Sequence, residues 1–180
     1  MTVMELIIFA GLPGTGKSSI AEAVGRELAI PVFAKDWLEA ALVSNGLQPK
    51  AADTPDLGFA AYELLTTLAD RQLRLGQSVI LDSVASTQSI RKQWHDLAAR
   101  FDALWYVIEC ICSDEASHRS RLAGRTRAIP GWHELDWHDV QKVAAYYAPW
   151  QEQRLILDAV KPVTENISAA LRYLGHQPSR

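Results

Sequence analysis

Apolar residues gather in five short runs separated by stretches with helical spacing. Leu6-Ile7-Ile8-Phe9-Ala10 is apolar throughout and too short for a helix. It suits a strand buried on both faces of a parallel sheet. Ile30–Ala34, Ser78–Asp82, Ala103–Cys112 and Leu155–Asp158 read the same way. Between them, Ser19–Leu28 carries Ile20, Val24 and Leu28 four apart, one face of a helix. Leu38–Val43 also reads as helix and ends at Asn45-Gly46. Leu57–Leu75 follows, with Leu64, Leu68 and Leu75 on or near one face and Gly76 as its C-cap. Thr87–Arg100 repeats the pattern through Ile90, Trp94 and Leu97. Asp114–Ala123 has Ser113 as its predicted N-cap and acids in its first turn. Asp139–Tyr147, stopped by Pro149, and Thr164–Leu174 complete the helices, and 47–56 reads as an exposed loop. Strands alternating with helices predict an α/β fold, with a parallel sheet covered on both faces.

The first loop adds chemistry to this pattern. Gly11-Leu12-Pro13-Gly14-Thr15-Gly16-Lys17-Ser18 fits G-x-x-x-x-G-K-[ST], the P-loop or Walker A pattern, between a predicted strand and a predicted helix. A phosphate needs several donors converging on a small volume, and side chains would crowd there. The glycines let backbone N–H groups turn inward, and the helix N-terminus favours the same anion. Lys17 supplies a point charge for the β- and γ-phosphates, and the Ser18 hydroxyl suits Mg²⁺. Gly11 to Ser18, with Ser19, form the predicted nucleotide-binding stretch.

Ligands of such sheets bind beyond the C-terminal strand ends, where three predicted elements converge. Asp82 ends the third strand, as a magnesium-holding acid beside Ser18 would; it could equally cap the segment after it. Asp36 follows the second strand and can take a proton from a substrate hydroxyl, or cap the helix beginning at Trp37. Arg121, Arg125 and Arg127 surround Gly124 and suit the charge of a phosphoryl group in transfer. Gly124–Trp137 reads as a mobile lid carrying them. Trp132, His133, Trp137 and His138 recur at a five-residue spacing there, either covering a substrate or packing the lid down.

Composition excludes more than it assigns. The 180 residues are 48% hydrophobic and 22% charged, ordinary for one globular domain. A net charge of −3 leaves no basic footprint for nucleic acid. No apolar run approaches a membrane span, and Glu5 interrupts the early apolar residues, so a signal peptide is not expected. Cys110 and Cys112 read as packing thiols in a reducing cytoplasm. There is no G-x-S-x-G, zinc-type ligand spacing or guanine-reading N-K-x-D.

The P-loop, Lys35-Asp36, Val79-Ile80-Leu81-Asp82 and the arginines from Arg119 to Arg127 together resemble the small AAA-type P-loop kinases. These are similar to chloramphenicol phosphotransferases, zeta toxins and polynucleotide 5′-kinases. The resemblance implies a three-layer αβα P-loop sandwich with strand order 2-3-1-4-5, ATP with Mg²⁺, and a closing lid. It implies that Asp36 faces a hydroxyl acceptor and that Asp158–Val163 lies near the adenine. A small-molecule alcohol is the expected acceptor; a nucleotide-sensing module or a nucleic-acid 5′-end kinase are the alternatives.

Overall fold

The computed structural model describes residues 3–47, 57–127, 129–131 and 134–176. Five strands, β1 (Glu5–Ala10), β2 (Val32–Ala34), β3 (Val79–Asp82), β4 (Leu104–Ile111) and β5 (Leu155–Asp158), form one sheet. Its order is β2-β3-β1-β4-β5 and every pairing is parallel, as predicted. The helices are α1 (Lys17–Leu28), α2 (Lys35–Ser44), α3 (Leu57–Arg74), α4 (Gln88–Arg100), α5 (Glu115–Ala123), α6 (Trp137–Tyr146) and α7 (Val163–Tyr173). The predicted loop at 47–56 lies, apart from Leu47, outside the described residues, as do Trp132 and His133 in the predicted lid.

Strand pleating divides the core into two layers. Leu6, Ile8 and Ala10 of β1 face α3 and α4, where they meet Leu65, Leu73, Trp94 and Leu97. Ile7 and Phe9 face the opposite way, among Ile20 and Val24 of α1 and Ala170 and Leu171 of α7. A run apolar at every position is therefore required, because both faces of β1 are buried. This is the three-layer sandwich.

Two local expectations are corrected. The buried face of α3 is Leu57, Ala61, Leu65, Ala69 and Leu73, not the predicted Leu64, Leu68 and Leu75. Leu64 and Leu75 are exposed. The true stripe has four-residue spacing, and its two alanines are fully buried. Small side chains there let the helix lie close to the sheet, so the largest residues did not mark the inward face. The cap of α5 is Asp114, whose carboxylate accepts from Ser117 N at 2.6 Å. Ser113 instead turns its own N–H to Asp158 Oδ1 at 3.1 Å. At its other end α3 closes as predicted: Gly76 adopts φ 73°, and Gln77 N donates to Gln72 O at 3.1 Å.

Register brings the strand ends level. Asp82 aligns with Phe9 on β1 and with Ala34 on β2. Gly11 and Asp36 each lie two residues beyond that row. The glycine loop, Asp82 and Asp36 thus emerge on one edge, with β3 between the other two strands.

Candidate active site

The loop is shaped before any ligand enters. Gly11 has φ 136°, and a Cβ there would stand 2.1 Å from Cys110 O. Only glycine allows β4 to approach the loop so closely. Thr15 Oγ1 donates to Leu12 O at 2.8 Å, holding the turn from inside. Gly16, at φ 81°, leads into α1, whose first helical residue is Lys17, two before the predicted Ser19–Leu28 stretch.

Beyond the loop opens a cleft of about 540 Å³. Gly14, Gly16, Lys17, Ser18, Ser19, Asp36, Asp82, Arg121, Arg125 and Arg127 all line it. Every predicted catalytic and metal residue therefore reaches one space. Gly11, Leu12 and Thr15 shape the loop without lining the cleft, and Pro13 lines a neighbouring chamber. Lys17 is only 4% exposed, packed more deeply than a lysine reaching freely into solvent.

Asp82 is buried, and its Oδ1 has no hydrogen-bond partner. Burial pushes its carboxyl above the usual aspartate range, while Lys17 and the Ser18 hydroxyl pull it back in part. A carboxylate held at this cost beside a hydroxyl on a cleft wall is a donor set for a hard divalent cation. Ser18 and Asp82 fit Mg²⁺ on these grounds.

Asp36 does not cap α2. Ala34 occupies the N-cap position and Asp36 lies in the first helical turn, where a carboxylate suits the helix dipole. Its Oδ2 is instead held by the Arg127 guanidinium, reaching back from ninety-one positions away. Arg127 N is in turn anchored to Glu134 Oε1 at 2.7 Å.

Arg125 is half-buried, with its nearest carboxylate, Glu134, at 3.9 Å. Its Nε and Nη2 are buried without hydrogen-bond partners. Burial and the neighbouring Arg127 lower its affinity for its proton, and Glu134, Asp36 and Asp82 offset this only in part. Arg121 also lines the cleft and donates to Ala159 O at 2.5 Å. That contact ties the end of α5 to the segment after β5, which the family resemblance places near an adenine.

Several contributors had no sequence signal. His118, buried in α5, places Nε2 2.7 Å from Pro13 O. Its ring lies 3.1 Å from where a Gly14 Cβ would be, so the loop and α5 are packed as one. Trp137 meets the same ring edge-on at 5.1 Å, with the Arg119 guanidinium 4.4 Å from the indole centre. Arg91 is buried under Trp150, 3.7 Å from its ring centre. It donates to Ala85 O, Ala148 O and Pro149 O at 2.7, 2.8 and 3.1 Å. It thereby clamps the turn after Asp82, where Ala85 has φ 49°. A lone arginine beside the Ile90–Trp94–Leu97 stripe carries no mark of which carbonyls it would clamp.

A five-stranded parallel sheet of order 2-3-1-4-5, with the glycine loop between its central strand and α1, defines the P-loop kinase-like fold. A sequence profile of the family described as AAA domain matches residues 6–149, and the chain belongs to that family. The fold recurs in a gluconokinase from Sinorhizobium meliloti 1021, at 19% identity and TM-score 0.71, covering 97% of this chain and 94% of that one. It recurs in the Mycobacterium tuberculosis APS kinase CysC in complex with AMPPNP and APS. There the identity is 20% and the TM-score 0.64, over 97% of this chain and 99% of that one. Kti12 from Chaetomium thermophilum, in complex with ADP-AlF3, shares it at 17% identity and TM-score 0.68, over 97% and 100%. No curated protein matches the sequence. No helix among the described residues is long and apolar enough to cross a membrane.

Asp82→Asn tests the cation site through stability as well as activity. Because folding raises this carboxyl's pKa, its ionised form costs native stability as pH rises through the folded value. Asparagine removes that cost. Without nucleotide, the variant should melt above wild type at pH 8, and the gap should close as pH falls from the raised folded value down to the ordinary aspartate range. With Mg²⁺-ATP the order should reverse, and turnover should drop by at least about a hundredfold, as loss of a transition-state charge contact does. Thermal unfolding across pH, with and without Mg²⁺-ATP, checks both halves.

Proposed function

We propose that this chain, across residues 1–180, is a single-domain ATP-dependent phosphotransferase that moves the γ-phosphate of ATP to the hydroxyl of a small molecule. One observation carries the reading: two residues of opposite charge that line the same cleft hold buried polar atoms without hydrogen-bond partners, Asp82 Oδ1 and Arg125 Nε and Nη2. A bound Mg²⁺–triphosphate would supply both with partners, a cation for the carboxylate and a phosphate oxygen for the guanidinium.

The roles follow from position. Backbone amides from Gly11 to Ser19 and the Lys17 ammonium hold the β- and γ-phosphates. Ser18 and Asp82 would hold Mg²⁺, which would neutralise phosphate charge there. Arg125 and Arg127 face the transferring phosphoryl group, while Arg121 lies toward the nucleoside end. Asp36 accepts the proton of the acceptor hydroxyl as its oxygen bonds to phosphorus and ADP departs. The Arg127–Asp36 pair must open for this, and an arriving γ-phosphate offers Arg127 a better-charged partner. The test is transfer of ³²P from [γ-³²P]ATP to panels of alcohols, with product identified by mass. ATP binding with no labelled product from any alcohol would favour a nucleotide-sensing module.

The region from Gly124 to Trp137 is the proposed lid. Trp137 reports on it, because its indole touches both His118, on the P-loop carbonyl, and Arg119. Addition of Mg²⁺-AMPPNP should shift tryptophan fluorescence, and Trp137→Phe should remove most of the change. An unaltered spectrum, together with unaltered proteolysis of this segment, would count against lid movement.

A further inference from the structure

Asp36 borders two spaces. One is the cleft just described; the other is a chamber of about 580 Å³ between α2, α3, α4 and α6. Their charge balance differs. The cleft sets Lys17, Arg121, Arg125 and Arg127 against the acids Glu22, Asp36 and Asp82. Among the described residues, the charged groups lining the chamber are Lys35, Asp36 and Glu39, one cation against two anions.

That single cation is already engaged. Lys35 Nζ is ion-paired with Glu39, and it lies 5.3 Å from the Tyr62 ring centre. Both partners are mostly buried, their side chains 15% and 18% exposed. Burial alone would draw the Lys35 ammonium down, but Glu39, with Tyr62 and Asp36, outweighs this and the net displacement is upward. Lys35 therefore stays charged and stays with Glu39. Among the described residues no arginine lines the chamber, so a carboxylate or phosphate on a guest would gain a counter-charge there only by drawing Lys35 away from Glu39 or Arg127 away from Asp36.

The walls are apolar. Phe59 from the first turn of α3 and Tyr146 from the last of α6 both line the space, with Ile90 and Val143. Phe59 is 61% exposed and Tyr146 58%. Two large aromatic side chains left uncovered on separate helices, around a chamber ending at a candidate base, can take up a ring or a compact hydrocarbon.

We propose that this chamber is the acceptor site and that it takes an uncharged or cationic alcohol with an aromatic or similarly apolar body, rejecting anionic polyols. The inference rests on the phosphotransferase reading. It also sets this chain apart from its fold neighbours named for gluconate and for APS, both anions.

Binding separates the inference from that reading. A phenylpropanediol (neutral), phenylalaninol (cationic), phenyllactate (anionic) and gluconate are titrated by saturation-transfer NMR in the presence of Mg²⁺-AMPPNP. The first two should bind at least about tenfold more tightly than the last two, the scale of one apolar group buried or one charge left unpaired. Phe59→Ala should weaken the neutral and cationic probes by about tenfold. Glu39→Gln should free Lys35 and erase the preference for phenylalaninol over phenyllactate. Phenyllactate or gluconate binding as tightly as the diol would overturn the proposal, as would no binding by either aromatic alcohol. The predicted binding order in AMPPNP, together with no labelled product from these probes or from any alcohol of the panel when [γ-³²P]ATP replaces it, would uphold the chamber's selectivity and remove the kinase reading.

Discussion

Lys17→Ala is expected to abolish ATP turnover, lowering it by about a thousandfold or more. The lysine stands at the end of the glycine loop and lines the cleft that Asp82, Arg125 and Arg127 share. The backbone amides can still cradle a phosphate without it, but the ammonium charge offered to the β- and γ-phosphates is gone. A single preorganised group of this kind is typically worth about 10²–10³ in rate. Loss of nucleotide affinity adds to this at working ATP concentrations. The fold should survive, although not at equal stability at every pH. Lys17 is one of the groups pulling the Asp82 carboxyl back toward its ordinary range. Without it, burial displaces Asp82 further upward. Since the ionised native form is then costlier, the stability deficit should be present at pH 8 and shrink as the pH falls and Asp82 takes up its proton. ATP consumption, AMPPNP titration and melting at pH 5 and 8 check the three parts. Undiminished turnover in clean protein would remove the P-loop reading. A deficit larger at pH 5 than at pH 8 would contradict the coupling to Asp82.

Asp36→Asn should lower phosphoryl transfer by about 10²–10⁴, the usual worth of a positioned general base. Asparagine keeps the shape and can still hydrogen-bond the acceptor, but takes no proton. The ion pair with Arg127 makes the variant more informative. With Asp36 neutral, Arg127 no longer has to leave a carboxylate to meet phosphate. ATP affinity should therefore stay the same or tighten slightly while kcat collapses. Stability should fall modestly, because Asp36 suits the first turn of α2 and pairs with an arginine whose side chain is mostly buried. A loss near 1 kcal/mol moves Tm by about 2–4 °C in a domain of this size. Single-turnover transfer to an alcohol found by the [γ-³²P]ATP panel, alongside AMPPNP titration, separates the effects. Full transfer would reject Asp36 as base. Lost ATP binding would put it on the donor side, through magnesium.

Asp36 also shows where legibility stopped. Its position after β2 was readable, because a short apolar run followed by a polar residue marks a strand end. Its partner was not, since Arg127 is ninety-one positions distant and no local pattern pairs them. The face of α3 shows the same limit within one helix. Two four-residue stripes compete there, and leucines drew the reading toward Leu64 and Leu68. Ala61 and Ala69 lie inward because the sheet is close.

By itself, the sequence determined what short-range physics governs. The glycine loop between an apolar run and an amphipathic helix needs only local conformational freedom and one helix N-terminus. The alternation of strands and helices needs only local periodicity and right-handed crossovers. The parallel class of the sheet follows from these. The site was decided by tertiary structure. Insertion of β3 between β2 and β1 sets Asp82 between Asp36 and the P-loop. Packing leaves Asp82 Oδ1 and two Arg125 nitrogens without partners, fastens His118 to the P-loop carbonyl, and occupies Lys35 with Glu39 beside the second chamber. Burial, desolvation and charge pairing are properties of three-dimensional neighbours. Residue spacing can nominate a carboxylate or a guanidinium, but only the folded chain decides which of them is left with a charge to offer.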